Sequence, residues 1–356
     1  MLFSFKQKSQ DFVVEEQLPF TLSGRGDAFF VYFEKRNLST MDVIEFLCNE
    51  FDISRKTLGF AGLKDKDAIT RQWVSIYKSA LKKLWGEKVF LNVLATKARI
   101  ISTAWHDAPV GMTTSIKNKF TIRLRANKKL SQIEKQQTWA TLDALFTQGF
   151  PNFFGEQRFG IEGKNWKIGR QILEGTHHLR DKFESAFKIQ AYASYLFNAY
   201  VRLRREKKLK PMDGDIVQLS SSWSFAVYKK EAKAYFPIKT VPKNKNIFSS
   251  PVVWDKPVVL NAPFITWPVI GFNLLMPPQG TESYLFEKDF FAKQEITPKI
   301  LSAFQSYHIF GLRRNIWAFP QDASYRWDGD DICLVFSLAS AVYASIVIDE
   351  LLQKFT

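Results

Sequence analysis

Strand-like and helical segments follow one another along this chain without the regular alternation of a doubly wound fold. Residues 12–15 and 29–33 predict two strands joined by a turn, and the second is apolar enough to be largely buried. Residues 121–125 alternate apolar and polar side chains, which predicts another strand. Residues 332–338 are strand-like and precede an amphipathic helix predicted over residues 341–352. This order of elements predicts an α+β fold.

Two sequence patterns mark where helices begin. Ser39 is followed three residues later by Asp42, and Ser131 is followed three residues later by Glu134. Both pairs are typical of a capping box, in which each side chain accepts a hydrogen bond from the other residue's backbone N–H. We therefore expect helices to begin after Ser39 and Ser131, and further helical stretches between residues 165 and 208.

Charge points to the kind of partner that this chain meets. The sequence has 50 Lys and Arg against 35 Asp and Glu, which gives a net charge of +15. Such a field concentrates phosphate-bearing partners around a protein. Aromatic residues make up 15% of the chain, and those outside the core can stack on unpaired bases. We therefore expect a polyanion as the partner.

Other residue types exclude several classes of protein. Cys48 and Cys333 lie in apolar segments, so we expect core residues and neither a disulfide framework nor a metal site. The four histidines show no zinc-binding spacing, and no glycine-rich phosphate-binding motif occurs. No apolar run reaches membrane-spanning length. These features predict a cytoplasmic protein that uses no metal and no nucleotide cofactor.

The most informative segment reads AGLKDKDAITRQW, in which two carboxylates stand among cations. Asp65 and Asp67 alternate with Lys64 and Lys66, and Arg71 follows. Cations beside Asp65 would keep it ionised, as a nucleophile or general base requires. The alternative is a solvated, charged β-turn. Spacing alone does not choose between Asp65 and Asp67.

A second candidate is Asn118-Lys119-Phe120, which opens the predicted strand. An Asn amide can both donate to and accept from the edge of a uracil, and Phe120 can stack on that base. The alternative is a turn with Asn118 at a positive φ and Phe120 packed in the core.

Two further segments fit contact with nucleic acid. PNFFGEQRFG, residues 151–160, interleaves polar and aromatic side chains, which also suits a bent junction between domains. RLRREKKLK, residues 202–210, is a basic run at a helix end. This run favours either phosphate contact or a solvated helix terminus that interacts with the helix dipole.

In this order, AGLKDKDAITRQW and PNFFGEQRFG resemble the TruD family of tRNA pseudouridine synthases. Three further motifs match the family: Lys6 with Asp11-Phe12, Asn118-Lys119-Phe120, and residues 338–351. The resemblance is weakest between about residues 165 and 307, where it is mainly one of position.

The resemblance implies roles for particular residues. Asp65 matches the catalytic aspartate, whereas Phe12, Asn118 and Tyr343 match residues that contact the substrate. Phe120 stands where most other pseudouridine synthases have an active-site Tyr. We add one candidate of our own, in which Lys6 is a basic partner of Asp65.

The sequence departs from the family near its C-terminus. Tyr343 stands where the family usually has Phe, a change that keeps the stacking face and adds a hydroxyl. Ala339 and Ala341 replace the family's Pro and Gly, so we expect the local backbone to differ there.

The resemblance also implies an architecture and an activity. Residues 1–148 and 319–356 would form a discontinuous pseudouridine-synthase catalytic domain on a mixed, mainly antiparallel sheet. Residues 149–318 would form an inserted α/β TRUD domain. The implied activity is isomerisation of a flipped-out uridine, at position 13 in the D-arm of tRNA, without a cofactor. We expect the chain to act on tRNA as a monomer, with no membrane and no metal.

Two other classes of function stay open from the residues alone. A non-catalytic RNA-binding protein would explain the charge and the aromatic residues without a positioned carboxylate. A glycosidase would need two carboxylates at a set separation, and Asp65 and Asp67 are too close in sequence for that.

Overall fold

The computed structural model describes residues 2–64, 66–111, 114, 116–208, 210–219, 224–240, 248–249, 251–253, 256–258 and 264–355. The chain divides into two units, Met1–Gly149 with Phe319–Thr356 and Phe150–Ala318. The first unit is therefore assembled from two stretches that the second unit separates along the chain. No helix in the described ranges is both long enough and apolar enough to cross a membrane.

The elements are numbered in chain order. The first stretch contains β1 (Phe3–Ser4), β2 (Phe12–Gln17), β3 (Ala28–Arg36), α1 (Thr40–Phe51), β4 (Leu58–Phe60), β5 (Ile69–Tyr77), α2 (Lys78–Lys83), α3 (Glu87–Ala95), β6 (Arg99–His106), β7 (Lys117–Ala126) and α4 (Gln132–Gln148). The second unit contains β8 (Phe150–Pro151), α5 (Asn165–Glu174), α6 (Lys182–Glu206), β9 (Ile216–Gln218), β10 (Phe225–Lys229), β11 (Ala234–Thr240), β12 (Phe248–Ser249), β13 (Val252–Val253), β14 (Phe264–Val269), β15 (Leu274–Leu275), α7 (Glu282–Lys293), α8 (Pro298–Ser306), β16 (Leu312–Asn315) and β17 (Trp317–Ala318). The chain then returns to the first unit with β18 (Gln321–Asp328), β19 (Asp331–Leu338) and α9 (Ala344–Leu352).

A mixed sheet forms the centre of the first unit. Among the described residues its strand order is β18-β19-β7-β2-β5-β3-β6, with β1 added to β7 and β4 added to β5. Strands β2 and β5 run parallel, and the other pairs among the described strands of this sheet run antiparallel. The predicted α+β class and the mixed, mainly antiparallel sheet are confirmed.

The apolar run predicted as a buried strand lies inside this sheet. Strand β3 is bonded by β5 on one edge and by β6 on the other. Phe29, Val31 and Phe33 pack into a cluster with residues of α1 and α3, while Phe30 packs on the opposite face. Because both faces are covered, continuous apolar character suits this strand better than alternation.

Both predicted capping boxes are present. Ser39 accepts from the backbone N–H of Asp42 and caps α1, and the Asp42 carboxylate accepts from the backbone of Ser39. Ser131 and Glu134 cap α4 in the same way. These caps satisfy N–H groups that have no partner within the helix, and they fix where each helix meets the sheet.

The C-terminal strand lies inside the sheet rather than at its edge. Strand β19 pairs antiparallel along β7, from Ile332 opposite Leu124 to Leu338 opposite Asn118. The ring of Phe336 lies 5.8 Å from that of Phe146 on α4, centroid to centroid. Helix α4 therefore covers this half of the sheet.

The last helix begins later than the sequence predicted, at Ala344 instead of Ala341. Ala341 has a φ of +62°, in the left-handed region, and a residue in that conformation cannot belong to a right-handed helix. Tyr343, at the N-cap position, has extended backbone and is half-buried. The TruD family, which this sequence resembles, has Gly at the position of Ala341. Gly adopts this conformation without steric cost.

The second unit combines helices with an antiparallel sheet of order β13-β11-β10-β9-β14-β16. Helix α6 is 25 residues long and is capped by Asp181. It packs on the sheet through buried side chains that include Ile189, Leu196 and Phe197. Its length agrees with the helical stretch predicted there, although a break separates it from α5.

One arginine of the basic run at the end of α6 is not available to a partner. Arg204 is only 4% exposed and forms a bidentate ion pair with the buried Asp215, with N–O distances of 3.0 and 2.6 Å. Phosphate contact and a solvated helix terminus, the two alternatives for this run, both require exposed side chains, and both are therefore wrong for Arg204. The helix turns this side chain inward, whereas Arg202 and Arg205 are exposed.

We expect Arg204→Ala to lower the free energy of unfolding by about 3–5 kcal/mol, because it leaves the Asp215 carboxylate buried without its partner. Urea-induced unfolding followed by circular dichroism measures this loss. The matched control is Arg205→Ala, which removes an exposed charge one residue away and should change the free energy by no more than about 0.5 kcal/mol. Equal losses in the two variants would contradict the structural role of Arg204.

Candidate active site

Strand register brings several of the predicted site residues onto one face of the first unit's sheet. Asn118 on β7 lies directly opposite Glu16 on β2. Phe120 and Phe12 lie two and four residues away along these same strands. Because alternate residues of a strand share a face, all four side chains project to the same side.

The aromatic residues of this face pack against one another. The ring centroid of Phe120 lies 5.9 Å from that of Phe12 and 5.6 Å from that of Phe336. Phe12 is 4% exposed and Phe120 is 7% exposed, so little ring surface faces solvent. The Lys6 ammonium lies 4.3 Å from the Phe12 centroid, a typical cation–π distance.

Asn118 lies within a strand and not in a turn. The alternative in which Asn118 occupies a turn at positive φ is therefore wrong, because β7 begins one residue earlier. The side chain is half-buried, and its Oδ1 atom is buried with no hydrogen-bond partner among the described residues. A buried acceptor without a partner is costly in a folded protein. This unsatisfied acceptor makes Asn118 a candidate for binding a ligand.

Glu16 is the charged residue of this face that sequence reasoning missed. Its side chain is fully buried, and Oε1 lies 2.6 Å from the Lys64 ammonium. Oε2 accepts a hydrogen bond of 2.8 Å from the backbone N–H of Trp73. Burial raises the pKa of the Glu16 carboxyl, and the positive charge of Lys64 acts in the opposite direction. The alternation Phe12, Val14, Glu16 was a signal that could have revealed a glutamate in a buried position.

The segment that precedes Asp65 is attached to helix α1 as well. The backbone N–H of Lys64 donates to Thr40 Oγ1 at 2.9 Å. The Thr40 hydroxyl in turn donates to Gln72 Oε1 on β5, also at 2.9 Å. Thr40 and Gln72 are completely buried. The chain is therefore held to both the helix and the sheet immediately before Asp65.

Asp65 itself lies outside the described residues, so its proposed role stays a prediction. The flanking residues are described on both sides. Lys66 and Asp67 are exposed, and Ala68 is buried where β5 is about to begin. Asp67 therefore occupies a solvated position.

Two of the cations expected beside Asp65 are paired with other carboxylates. Lys64 is paired with Glu16, as described above. Arg71 contacts Glu15 at 2.6 Å and Glu34 at 2.9 Å, on the opposite face of the sheet. Although burial acts to raise the pKa of Glu34, hydrogen bonds from the arginines around it hold that pKa below its usual value. Among the described residues, Lys64 and Arg71 therefore each contact a carboxylate other than Asp65, and the idea that they keep Asp65 ionised stays a prediction.

Two glycines before Lys64 occupy positions that only glycine fits well. A Cβ on Gly59 would lie 2.2 Å from the Val110 carbonyl oxygen and 2.5 Å from Ser75 Oγ, so only glycine allows this approach. Gly62 has a φ of +70°, which favours glycine. Gly59 thus lets β4 approach residue 110 closely, and Gly62 bends the chain after β4.

Residues 151–160 belong to the core of the second unit. Asn152 is buried, and its amide donates to the Asn315 carbonyl oxygen at 2.8 Å. Phe154 is held by Asn198 through both its backbone groups. Arg158 donates to Ser194 of helix α6. Much of this segment therefore packs internally.

Tyr343 follows β19 by five residues, and β19 ends at Leu338 opposite Asn118. The side chain is half-buried.

Within the part of the chain that the structure describes, no group of three His, Cys, Asp or Glu residues is arranged to hold a metal ion. The face of the sheet that carries Asn118 offers the amide of Asn118, the ammonium of Lys6 and the rings of Phe12 and Phe120. Such a set can bind a planar polar base.

Comparison with protein families gives a match along almost the whole chain. The sequence profile of the family described as tRNA pseudouridine synthase D (TruD) matches residues 3–188 and 176–351. The tRNA pseudouridine synthase D of Wolinella succinogenes is 29% identical over 368 residues, which cover 99% of this chain and 95% of that protein.

Two other similarities are more restricted. The tRNA pseudouridine synthase D of a Nitratiruptor species is 36% identical over 207 residues, which cover 57% of this chain and 54% of that protein. A crystal structure from Methanosarcina mazei that is assigned to TruD superposes with a TM-score of 0.62 at 19% identity. It covers 99% of this chain and 93% of that chain, and at this identity the similarity concerns the fold.

Proposed function

Because this chain belongs to the tRNA pseudouridine synthase D (TruD) family, we propose that it isomerises a uridine of tRNA to pseudouridine. The target is the uridine at position 13 in the D-arm, as the family resemblance implies. The catalytic unit is the first one, 1–149 with 319–356, and the inserted second unit is the TRUD domain. The enzyme acts in the cytoplasm and as a monomer.

The reaction requires one carboxylate from the protein and a pocket that holds the target nucleotide. The C1′–N1 bond of uridine breaks, the uracil turns, C5 bonds to C1′, C5 loses its proton and N1 gains one. Atoms and electrons balance within the substrate, so the isomerisation requires no oxidant or reductant. Asp65 provides the carboxylate that acts as nucleophile or base. The target nucleotide must unstack from the neighbouring bases to reach Asp65.

One observation carries the assignment of Asp65. Asn118, whose Oδ1 lacks a partner among the described residues, lies opposite Glu16, and Glu16 is ion-paired with the residue that immediately precedes Asp65. A uracil held by Asn118 would therefore lie near the ion pair that holds Lys64, the residue before Asp65 in the sequence. The described contacts of the solvated Asp67 include no comparable connection to this face.

The proposed roles of the other residues follow from their positions. Asn118 hydrogen-bonds the edge of the uracil, and Phe12 and Phe120 form the apolar wall behind it. The Lys6 ammonium, over the Phe12 ring, supplies a positive charge near the carboxylate or a phosphate. Tyr343 lies after the strand end that pairs with Asn118 and offers a stacking face and a hydroxyl.

We expect Asp65→Asn to slow pseudouridine formation about a thousandfold or more, because the amide is neither nucleophile nor base. Derivatisation of pseudouridine followed by mass spectrometry of the digested tRNA measures the product and its position. Asp67→Asn is the matched control and should retain most of the activity. Substantial turnover by Asp65→Asn, with tRNA binding intact, would overturn the assignment of Asp65 as the catalytic carboxylate.

Asn118→Ala should slow turnover about 10- to 100-fold, because it removes one hydrogen bond to the base edge, and each 1.4 kcal/mol changes the rate about tenfold. Single-turnover kinetics on tRNA measures the loss directly. Asn92→Ala, on the exposed surface of α3, should leave the rate unchanged. An unaltered rate in Asn118→Ala would remove this residue from the proposed site.

The net charge of +15 predicts that phosphate contacts dominate binding. The logarithm of the affinity for tRNA should fall linearly with the logarithm of salt concentration, because neutralised phosphates release counterions. Filter binding at several salt concentrations measures the slope. A tRNA with cytidine at the target position should give the same slope, and a flat response would contradict the expected RNA partner.

A further inference from the structure

A buried ion pair connects the sheet to the segment that carries Asp65. The Lys64 ammonium lies 2.6 Å from Glu16 Oε1, with side chains that are 9% and 0% exposed. The same ammonium donates to the Ala61 carbonyl oxygen at 3.2 Å. Lys64 is thus bonded to its own segment as well as to the sheet. Its charge is directed inward rather than toward an RNA phosphate.

The position of Glu16 is set by a change of partner along β5. Strand β5 pairs with β2 at residues 69–71 and with β4 at residues 74–76. Trp73 lies between these two pairings, and its backbone N–H donates to Glu16 Oε2. The carboxylate therefore satisfies an N–H group at the gap between two strands, where an unpaired donor would be costly.

The other oxygen of the carboxylate reaches across this gap to Lys64. One side chain thus serves two purposes, because Glu16 completes the bonding of β5 and also holds Lys64. Since Lys64 is covalently bound to Asp65, the backbone leading into Asp65 is fixed relative to β2. The same strand β2 presents Glu16 opposite Asn118.

A second connection fixes the backbone of Lys64, and it opens more readily when the ion pair no longer holds the segment. Its N–H donates to Thr40 Oγ1, and the Thr40 hydroxyl donates to Gln72 Oε1. Thr40 is the first residue of α1, directly after the cap residue Ser39. The backbone of Lys64 is held by the helix, and its side chain is held by the sheet.

We propose that Glu16 and Lys64 are positioning residues that hold the Asp65 carboxylate where the flipped uridine binds. This inference rests on the proposed function. Lys64 acts through the backbone that it fixes and does not contact the substrate. A catalytic carboxylate must be held closely, since small displacements of a reacting group cost much of the rate.

A buried ion pair suits this task better than an apolar contact would. Removing two charges from water is expensive, so the pair adds little net stability. Its benefit is geometric, because an uncompensated charge cannot remain buried and the two groups must meet. An apolar side chain at position 64 would allow several packing arrangements of the segment.

The test compares kcat and KM for tRNA among the wild type, Glu16→Gln, Lys64→Gln and the double variant. We expect each single variant to lower kcat at least about tenfold while KM stays within about twofold, because binding of the tRNA body is untouched. The double variant should be no slower than the slower single variant, because the two residues act as one unit. Multiplied losses in the double variant would overturn the proposal.

Glu15 provides the matched control. Glu15 is the preceding residue on the same strand, and it pairs with Arg71 at the same 2.6 Å on the opposite face of the sheet, where the two side chains are partly exposed. Glu15→Gln removes one carboxylate from this pair and should leave kcat unchanged. If it lowers kcat as much as Glu16→Gln does, the effect is not specific to the Glu16–Lys64 pair and the proposal fails.

Hydrogen exchange separates this proposal from the proposed function. In the wild type, the amides of Lys64 and Trp73 should be protected, because each donates to a buried side-chain acceptor. In Glu16→Gln, exchange at Lys64 should accelerate at least about tenfold while the amides of β7 stay protected. Unchanged exchange at Lys64 overturns the positioning role. If the wild type forms no pseudouridine on tRNA, the proposed function fails, and exchange alone decides whether Glu16 holds this segment.

Discussion

Strand β7 is hydrogen-bonded along both of its edges by segments that are far from it in the sequence. Strand β2 pairs with it on one side and β19 on the other. This double pairing fixes which residues of three strands lie side by side. A shift of register by one residue would move every side chain to the other face. The position of Asn118 beside Glu16, and of Phe120 beside Phe336, depends on it.

The protein buries several charged groups despite its strongly basic composition. Arg204 pairs with Asp215 and Arg313 pairs with Glu287 inside the second unit. The first unit buries Glu16 with Lys64. The net charge of +15 is unchanged by such pairing, but these cations are directed away from solvent. The cations available to RNA are therefore fewer than the Lys and Arg count of the sequence suggests.

Local patterns in the sequence predicted local structure well. The capping boxes at Ser39 and Ser131 lie where expected, and the strand predicted over residues 332–338 agrees with β19 to within one residue. Such features depend on neighbours in the sequence, and short-range rules describe them. The candidate residues Asn118 and Phe120 came from the sequence as well, although the turn offered as an alternative for Asn118 is a strand in the structure.

The partners of charged residues could not be predicted in this way. Glu16 and Lys64 are far apart in the sequence, and only the change of strand partner along β5 brings them together. Arg204 resembled its exposed neighbours in the basic run, and only the packing of α6 distinguishes it. Helix α9 begins later than predicted because the backbone of Ala341 is left-handed. An alanine in a helical pattern gives no sign of a positive φ, so this start was not predicted.

The order of the strands also has a consequence for synthesis on the ribosome. Strand β7 is made before the second unit, whereas β19 is made after it. The edge of β7 that β19 will cover therefore lacks its partner while all of residues 150–318 are translated. At about 5–20 residues per second, this takes roughly ten seconds or more. An uncovered strand edge is a site for pairing with other chains. The sheet of the first unit is therefore complete only after the second unit has been made, and until then this edge of β7 is open to pairing with other chains.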